Sequence, residues 1–300
     1  MLRATLPLLL LLLAADRGGA PRTSITDGVL HADGRPFFVR GVYASEVMRD
    51  RRAYKPSDLH TKYDNLELIK QAGYNTILSY AYGATRPAVQ MREFLDAAHH
   101  HGLAVIVSVR VYSCAHGQAC RDGANAAVER TVTQFKDHPA LLLWYINDEQ
   151  GPSAPLLERY RNVSRWDGSH AVLQVAANYQ CWNASLCSSN LARFAPSTDV
   201  LGIDPYPWQN TALTHNLSLT TAHKGLPVGE DLVTNFRALA SVFGRGAGAA
   251  HNRSNLCVTQ IVDEAIYKGP ESGLTEPPYA VKHAAAFAAV ACGCQGSLVK

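Results

Sequence analysis

The chain has 300 residues, 47% of them hydrophobic and 18% charged, with 28 Lys plus Arg against 25 Asp plus Glu for a net charge of +3. That apolar fraction supports one sizeable core and lies far from the disordered regime. Near-balanced charge without a basic run excludes nucleic acid as an expected partner.

Residues 1–20 read as a secretory signal peptide. Arg3 supplies the positive end, Leu6 to Ala15 is almost pure Leu and Ala, and Gly18-Gly19-Ala20 are small. The apolar run is too short to cross a bilayer, and the polar Asp16-Arg17 pair argues against an uncleaved anchor. No later segment is long and apolar enough for a span, so none is expected after cleavage. Residues 21–300 read as a single domain.

From there, short apolar runs alternate with helical periodicity, the pattern of βα units around a parallel sheet. The first strand is Pro36 to Val42. Ser57 can cap a helix whose Leu59, Tyr63, Leu66 and Ile69 share one face, stopped by Gly73. Asn75 to Tyr80 is the second strand, and Pro87 opens a helix with Met91, Leu95 and Ala98 inward and Gly102 at its end. Leu103 to Arg110 is the third strand, followed by a helical stripe of Val128, Val132 and Phe135 that ends before Pro139. Ala140 to Ile146 is the fourth, with a helix near Ala154 to Val163. Ala171 to Ala177 and Val200 to Asp204 are the fifth and sixth, with a helix over Asp231 to Phe243. Leu256 to Val262 is the seventh, Tyr279 to Ala291 is helical, and Gly293 to Val299 is the eighth.

Eight short, fully apolar strands with intervening helices predict an α/β protein of the (β/α)₈ TIM-barrel class. An open doubly wound sheet uses the same units, but no Gly-rich phosphate loop follows the first strand. The chain stops at Lys300, directly after the eighth strand. The barrel is therefore expected to lack its eighth helix, as an incomplete version of a longer protein would.

Seven cysteines and four Asn-x-Ser sequons agree with export. Cys114 and Cys120 share the spacing of Cys181 and Cys187, and both pairs read as local loop disulfides on the rim of the cleft. Cys257, Cys292 and Cys294 leave one thiol over. A zinc site is the rival, but no Cys-x-x-Cys or matched His pair accompanies them. The sequons at Asn162, Asn183, Asn216 and Asn252 predict N-glycosylation of a protein outside the cell or in the secretory lumen.

A barrel builds its site at the C-terminal ends of its strands. Those ends carry Tyr43 and Glu46, Tyr80 and Tyr82, Arg110, Asn147-Asp148-Glu149, Asn178, Asp204 to Trp208, and Gln260 with Asp263-Glu264. Carboxylates, amides and aromatic rings are the mixture that binds and cleaves sugars. Arg110 can bind an acidic sugar or pair with a carboxylate. His99-His100-His101 ends a helix, without metal-ligand spacing.

The run His138-Pro139-Ala140-Leu141-Leu142-Leu143-Trp144-Tyr145-Ile146-Asn147-Asp148-Glu149 resembles the fourth-strand segment of (β/α)₈-barrel glycoside hydrolases of the large retaining superfamily. Asp33 to Tyr43 is similar to the opening of those domains, and Asp204-Pro205-Tyr206-Pro207 to their sixth-strand end. The resemblance implies a hydrolase of O-glycosidic bonds that acts on carbohydrate without metal or organic cofactor. It makes Glu149 the general acid/base, while the strand-end positions put Tyr43, Tyr80, Asn147, Asp204, Tyr206, Trp208 and Gln260 around the sugar. The alternative use of Asp148 and Glu149 is to cap the next helix.

Two departures stand out. Asp148 occupies the position usually held by Asn. Gln260 falls where the seventh strand should present the nucleophilic Glu, and Glu264, four residues on, is the candidate replacement. An Asp-Glu pair without a protein nucleophile also resembles the substrate-assisted arrangement, in which the sugar's own 2-acetamido group attacks. The rival from another class is a catalytically inactive glycosidase-like barrel that binds glycans.

Overall fold

Two Asp-Gly pairs open the folded chain. Asp27 and Gly28 have φ of 51° and 78°, and Asp33 and Gly34 have φ of 50° and 74°, the left-handed pairs that tight hairpins require. They join β1 (Thr23–Thr26), β2 (Val29–Ala32) and β3 (Arg35–Pro36) into a small antiparallel sheet. This sheet was not foreseen from the sequence. The computed structural model describes residues 22–43, 64–110, 118–181, 183–205, 228–244, 253–259 and 288–299.

The remaining strands are β4 (Val39–Tyr43), β5 (Thr76–Gly83), β6 (Ala104–Ser108), β7 (Leu141–Asp148), β8 (Val172–Ala177), β9 (Val200–Asp204), β10 (Ser254–Thr259) and β11 (Gly296–Val299). They close in the order β10-β11-β4-β5-β6-β7-β8-β9, every neighbour parallel, so the protein is a TIM barrel and not an open sheet. All eight correspond to the expected strands.

Side chains of alternate residues fill the barrel. Val39, Leu78, Ile106, Leu143, Leu173, Val200, Leu256 and Leu298 belong to one interior cluster, together with Ile25 and Leu30 of the N-terminal sheet. That sheet therefore plugs the N-terminal end, where Thr23 N donates to Ser169 O at 2.9 Å and Ala171 N donates to Thr23 Oγ1 at 2.6 Å. Gly296 makes room for this packing: a Cβ there would lie 2.6 Å from Leu256 Cδ2 and 2.9 Å from Val39 O.

Outward residues of the same strands meet the helices. The helices are α1 (Asp64–Gln71), α2 (Ala88–His100), α3 (Gln118–Phe135), α4 (Ala154–Trp166), α5 (Ala184–Ala192) and α6 (Val228–Phe243), with a helical segment over 288–291. Leu66, Met91, Leu95, Ala98, Val128, Val132 and Phe135 are buried against β5 to β7, as the periodicity predicts. Gly73 and Gly102, with φ of 91° and 64°, end α1 and α2 in the left-handed conformation that glycine tolerates best. Helix α5 was not read from the sequence. Among the described residues, no helix is long and apolar enough to cross a membrane.

Candidate active site

Strand β7, which leads into the candidate acid, is irregular near its end. Tyr145 pairs with Leu173, but Asn147 pairs with Gln174 and Asp148 with Val175, so β7 holds one residue more than β8. The bulge inverts the alternation of side chains. Asp148 joins Tyr145 on the barrel-facing side, while Asn147 turns into the wall.

Each side chain is then held by its new surroundings. The Asp148 carboxylate accepts from Arg110 Nη1 through Oδ2 and from Tyr145 Oη at 2.6 Å through Oδ1. The Arg110 guanidinium also lies over the Tyr145 ring, 5.4 Å from its centroid. With Arg110 8% and Asp148 21% exposed, this ion pair is shielded from solvent far more than a surface pair would be. Of the two roles open to Arg110, the structure displays the pairing with a carboxylate. Asn147, 2% exposed, donates from Nδ2 to Gln150 O at 2.9 Å and to Gln174 Oε1 at 3.2 Å. Gln174 is held in turn by Ser197. Asn147 thus binds the β7–α4 connection to the wall instead of facing the cleft.

Glu149 follows at the mouth. Its φ of 60° is unusual for a residue with a side chain and costs on the order of 1 kcal/mol. Glu149 N donates to Val175 O at 2.8 Å, and one carboxylate oxygen, Oε1, is buried. The cap of α4 is Ser153, so neither Asp148 nor Glu149 serves as its N-cap.

Two further candidate residues end barrel strands. Tyr43 ends β4 within the interior cluster, 9% exposed, and Asp204 ends β9 fully buried, in register with Ala177. Tyr80 lies in β5, its side chain outside the described residues; Tyr206, Trp208, Gln260 and Glu264 also lie outside them. Sequence reasoning did not single out Tyr145, which engages Asp148. The sequence carries no signal for it, since alternation sets residues three apart on opposite faces and only the bulge turns Asp148 toward Tyr145.

Behind β8, Cys181 bonds to Cys187 as expected, tying the 3₁₀ turn Asn178–Cys181 to α5. Cys257 bonds to Cys294, and Cys292 is the free thiol, which resolves a choice the sequence left open. Cys114 and the side chain of Cys120 lie outside the described residues, as do Asn216 and Asn252. Among the described residues, no cluster of His, Cys, Asp or Glu is arranged to hold a metal ion.

No family model matches the chain. In an alignment 168 residues long that covers 51% of this chain and 15% of the other, it is 25% identical to a β-galactosidase of Klebsiella pneumoniae (strain 342). Its fold is similar to that of a glycoside hydrolase with TM-score 0.61 at 15% identity, covering 93% of this chain and 65% of the other. It is similar also to a family 5 glycoside hydrolase variant from Streptomyces cattleya in complex with Manb1-4GlcNAc, with TM-score 0.58 at 15% identity over 88% of this chain and 70% of that one. A variant of P. fluorescens subsp. cellulosa xylanase A in complex with xylopentaose gives 0.54 at 11% identity, covering 88% and 86%. The barrel is thus one that glycoside hydrolases share.

Proposed function

We propose that the chain is the barrel of a secreted enzyme that hydrolyses O-glycosidic bonds, with Glu149 as general acid/base. The observation that carries the reading is the end of β7. There a bulge brings Asp148 into its pair with Arg110, and Glu149, with a φ of 60°, follows directly in sequence. The barrel shared with glycoside hydrolases and the β-galactosidase likeness support it.

In this scheme Glu149 protonates the glycosidic oxygen as the bond to the anomeric carbon breaks. A second carboxylate attacks that carbon from the opposite face, and Glu149 then takes a proton from water as the glycosyl ester is hydrolysed. Glu264 is the proposed nucleophile. Asp148 serves as a positioning residue, since Arg110 and Tyr145 engage its two oxygens. The second reading, a barrel that binds glycans without cleaving them, draws on Gln260 at the nucleophile's position.

A panel of nitrophenyl glycosides and natural glycans tests the proposal. Glu149→Gln is expected to lower kcat/KM by about 10²–10⁴-fold while leaving sugar binding intact. If wild type turns over nothing and binds glycans as well as the variant does, the binder reading stands instead. Secretion and glycosylation are read in the same material. Asn183, exposed at the N-cap of α5, is expected to carry a glycan removable by endoglycosidase.

A further inference from the structure

We propose that Arg159 of α4 is a positioning residue that holds the β7 bulge, and so sets which of Asn147 and Asp148 enters the barrel ahead of Glu149. For catalysis this rests on Glu149 being the acid; for the strand it does not.

Arg159 is out of place by sequence pattern. Leu156 and Val163 are buried on α4, and residues three and four apart lie over one another on a helix. Arg159, three after Leu156 and four before Val163, therefore stands on the apolar stripe, partly buried. A cation there gives up solvation, and burial pulls its pKa below the usual 12.5. Among the described residues no carboxylate pairs with it, and its Nε is buried without a hydrogen-bond partner. Burying a charge on these terms costs stability, so something must offset it.

The compensation lies at Ile146. Arg159 Nη1 donates to Ile146 O at 3.3 Å. Against β8, Tyr145 pairs with Leu173 and Asn147 with Gln174, so Ile146 is the extra residue of the bulge, buried in one cluster with Val163 of α4. Such a residue falls outside the ladder, and its main chain needs holding from elsewhere. Asn147 grips Gln174 and the Gln150 carbonyl, while Arg159 grips Ile146 from the helix layer. Without the extra residue, strict alternation would turn Asn147 inward and Asp148 outward. A bond to the bulge therefore favours the register in which Asp148 meets Arg110 and Tyr145.

Crystal structures of wild type and Arg159→Met, compared at β7, test the proposal together with kinetics on whichever nitrophenyl glycoside the panel shows to be cleaved. Methionine keeps an apolar stem on the stripe and removes the donor. In the variant Asp148 is expected to leave Arg110, with kcat lowered about tenfold and KM within about twofold of wild type. Arg159→Lys, which keeps a charged donor, should recover part of the lost kcat. A methionine variant that keeps the wild-type register and the Asp148–Arg110 pair, or that loses them with kcat unchanged, overturns the proposal while the hydrolase reading stands. If Arg159→Met does not fold, Arg159→Gln, whose amide ends short of the guanidinium's reach, is judged by the same criterion. A wild type that cleaves no glycoside refutes the acid/base reading, and the paired structures then decide by themselves whether Arg159 sets the register.

Discussion

The loop between α4 and β8 hangs on one carboxylate, and its removal gives a quantitative test of the fold behind the site. Asp167 accepts from Trp144 Nε1 at 2.7 Å and His170 Nδ1 at 2.6 Å through Oδ2, and from Ser169 N at 2.8 Å through Oδ1. The Asp167 and His170 side chains are 2% and 1% exposed, and Trp144 is fully buried. Hydrogen bonds to a charged group contribute about 1.5–3 kcal/mol each, and losing one partner of a buried charged pair costs about 3–5 kcal/mol. Asp167→Ala is therefore expected to destabilise by about 3–5 kcal/mol, because three donors lose their acceptor together. Asp167→Asn keeps one oxygen and should cost less, about 1–3 kcal/mol, since its amide must face at least one N–H. Urea unfolding followed by tryptophan fluorescence measures both. Burial by itself raises the Asp167 pKa, but the bonds from His170, Trp144 and Ser169 outweigh it and hold the carboxyl below its ordinary 3.8. A depressed folded pKa gives stability that is present above the unfolded value and lost as pH falls through the folded one. The gap between wild type and Asp167→Asn should therefore narrow below about pH 4. A loss under about 1 kcal/mol for the alanine variant at neutral pH, or a gap that ignores acid, would refute the reasoning.

Other consequences are equally direct. His138 is buried, takes the Ala140 N–H at Nδ1 and donates from Nε2 to Asp96 Oδ1 at 2.9 Å; burial lowers its pKa from 6.5 against the opposing pull of Asp96. Its contribution is complete above pH 6.5 and fades as pH falls through the lowered folded value, so urea midpoints of wild type should drop across that range more than those of His138→Gln. Replacing Cys257 and Cys294 by Ser opens a loop with a sequence separation of 37, which the chain-entropy model values at about 4 kcal/mol; a denaturation midpoint unchanged by reduction would contradict it. Arg110→Met should lower kcat/KM by at least about tenfold on any substrate that wild type cleaves, with Arg110→Lys restoring only part, because a compact ammonium cannot reproduce the planar guanidinium that lies over the Tyr145 ring while bonding Asp148.

Much of the architecture follows from local sequence. Strand β7 reads as a strand because Leu141 to Ile146 is an unbroken apolar run, and a parallel strand buried on both faces needs no polar side. Gly73 and Gly102 marked helix ends because few residues accept a positive φ at so little cost. The β1–β3 sheet had its own signal in Asp27-Gly28 and Asp33-Gly34, but Ile25 and Leu30 acquire a burial site only from the open floor of a closed barrel. The cysteine pairing shows the same limit: three thiols allow several bonds, and closure of β10 beside β11 brings Cys257 to Cys294. Most consequential is the parity at the end of β7. Strict alternation from Leu143 and Tyr145 would turn Asn147 inward and Asp148 outward, and the sequence names both without choosing. The bulge against β8 reverses them, delivering Asp148 to Arg110 and Tyr145 and Asn147 to Gln174, because register is settled between strands and never within one.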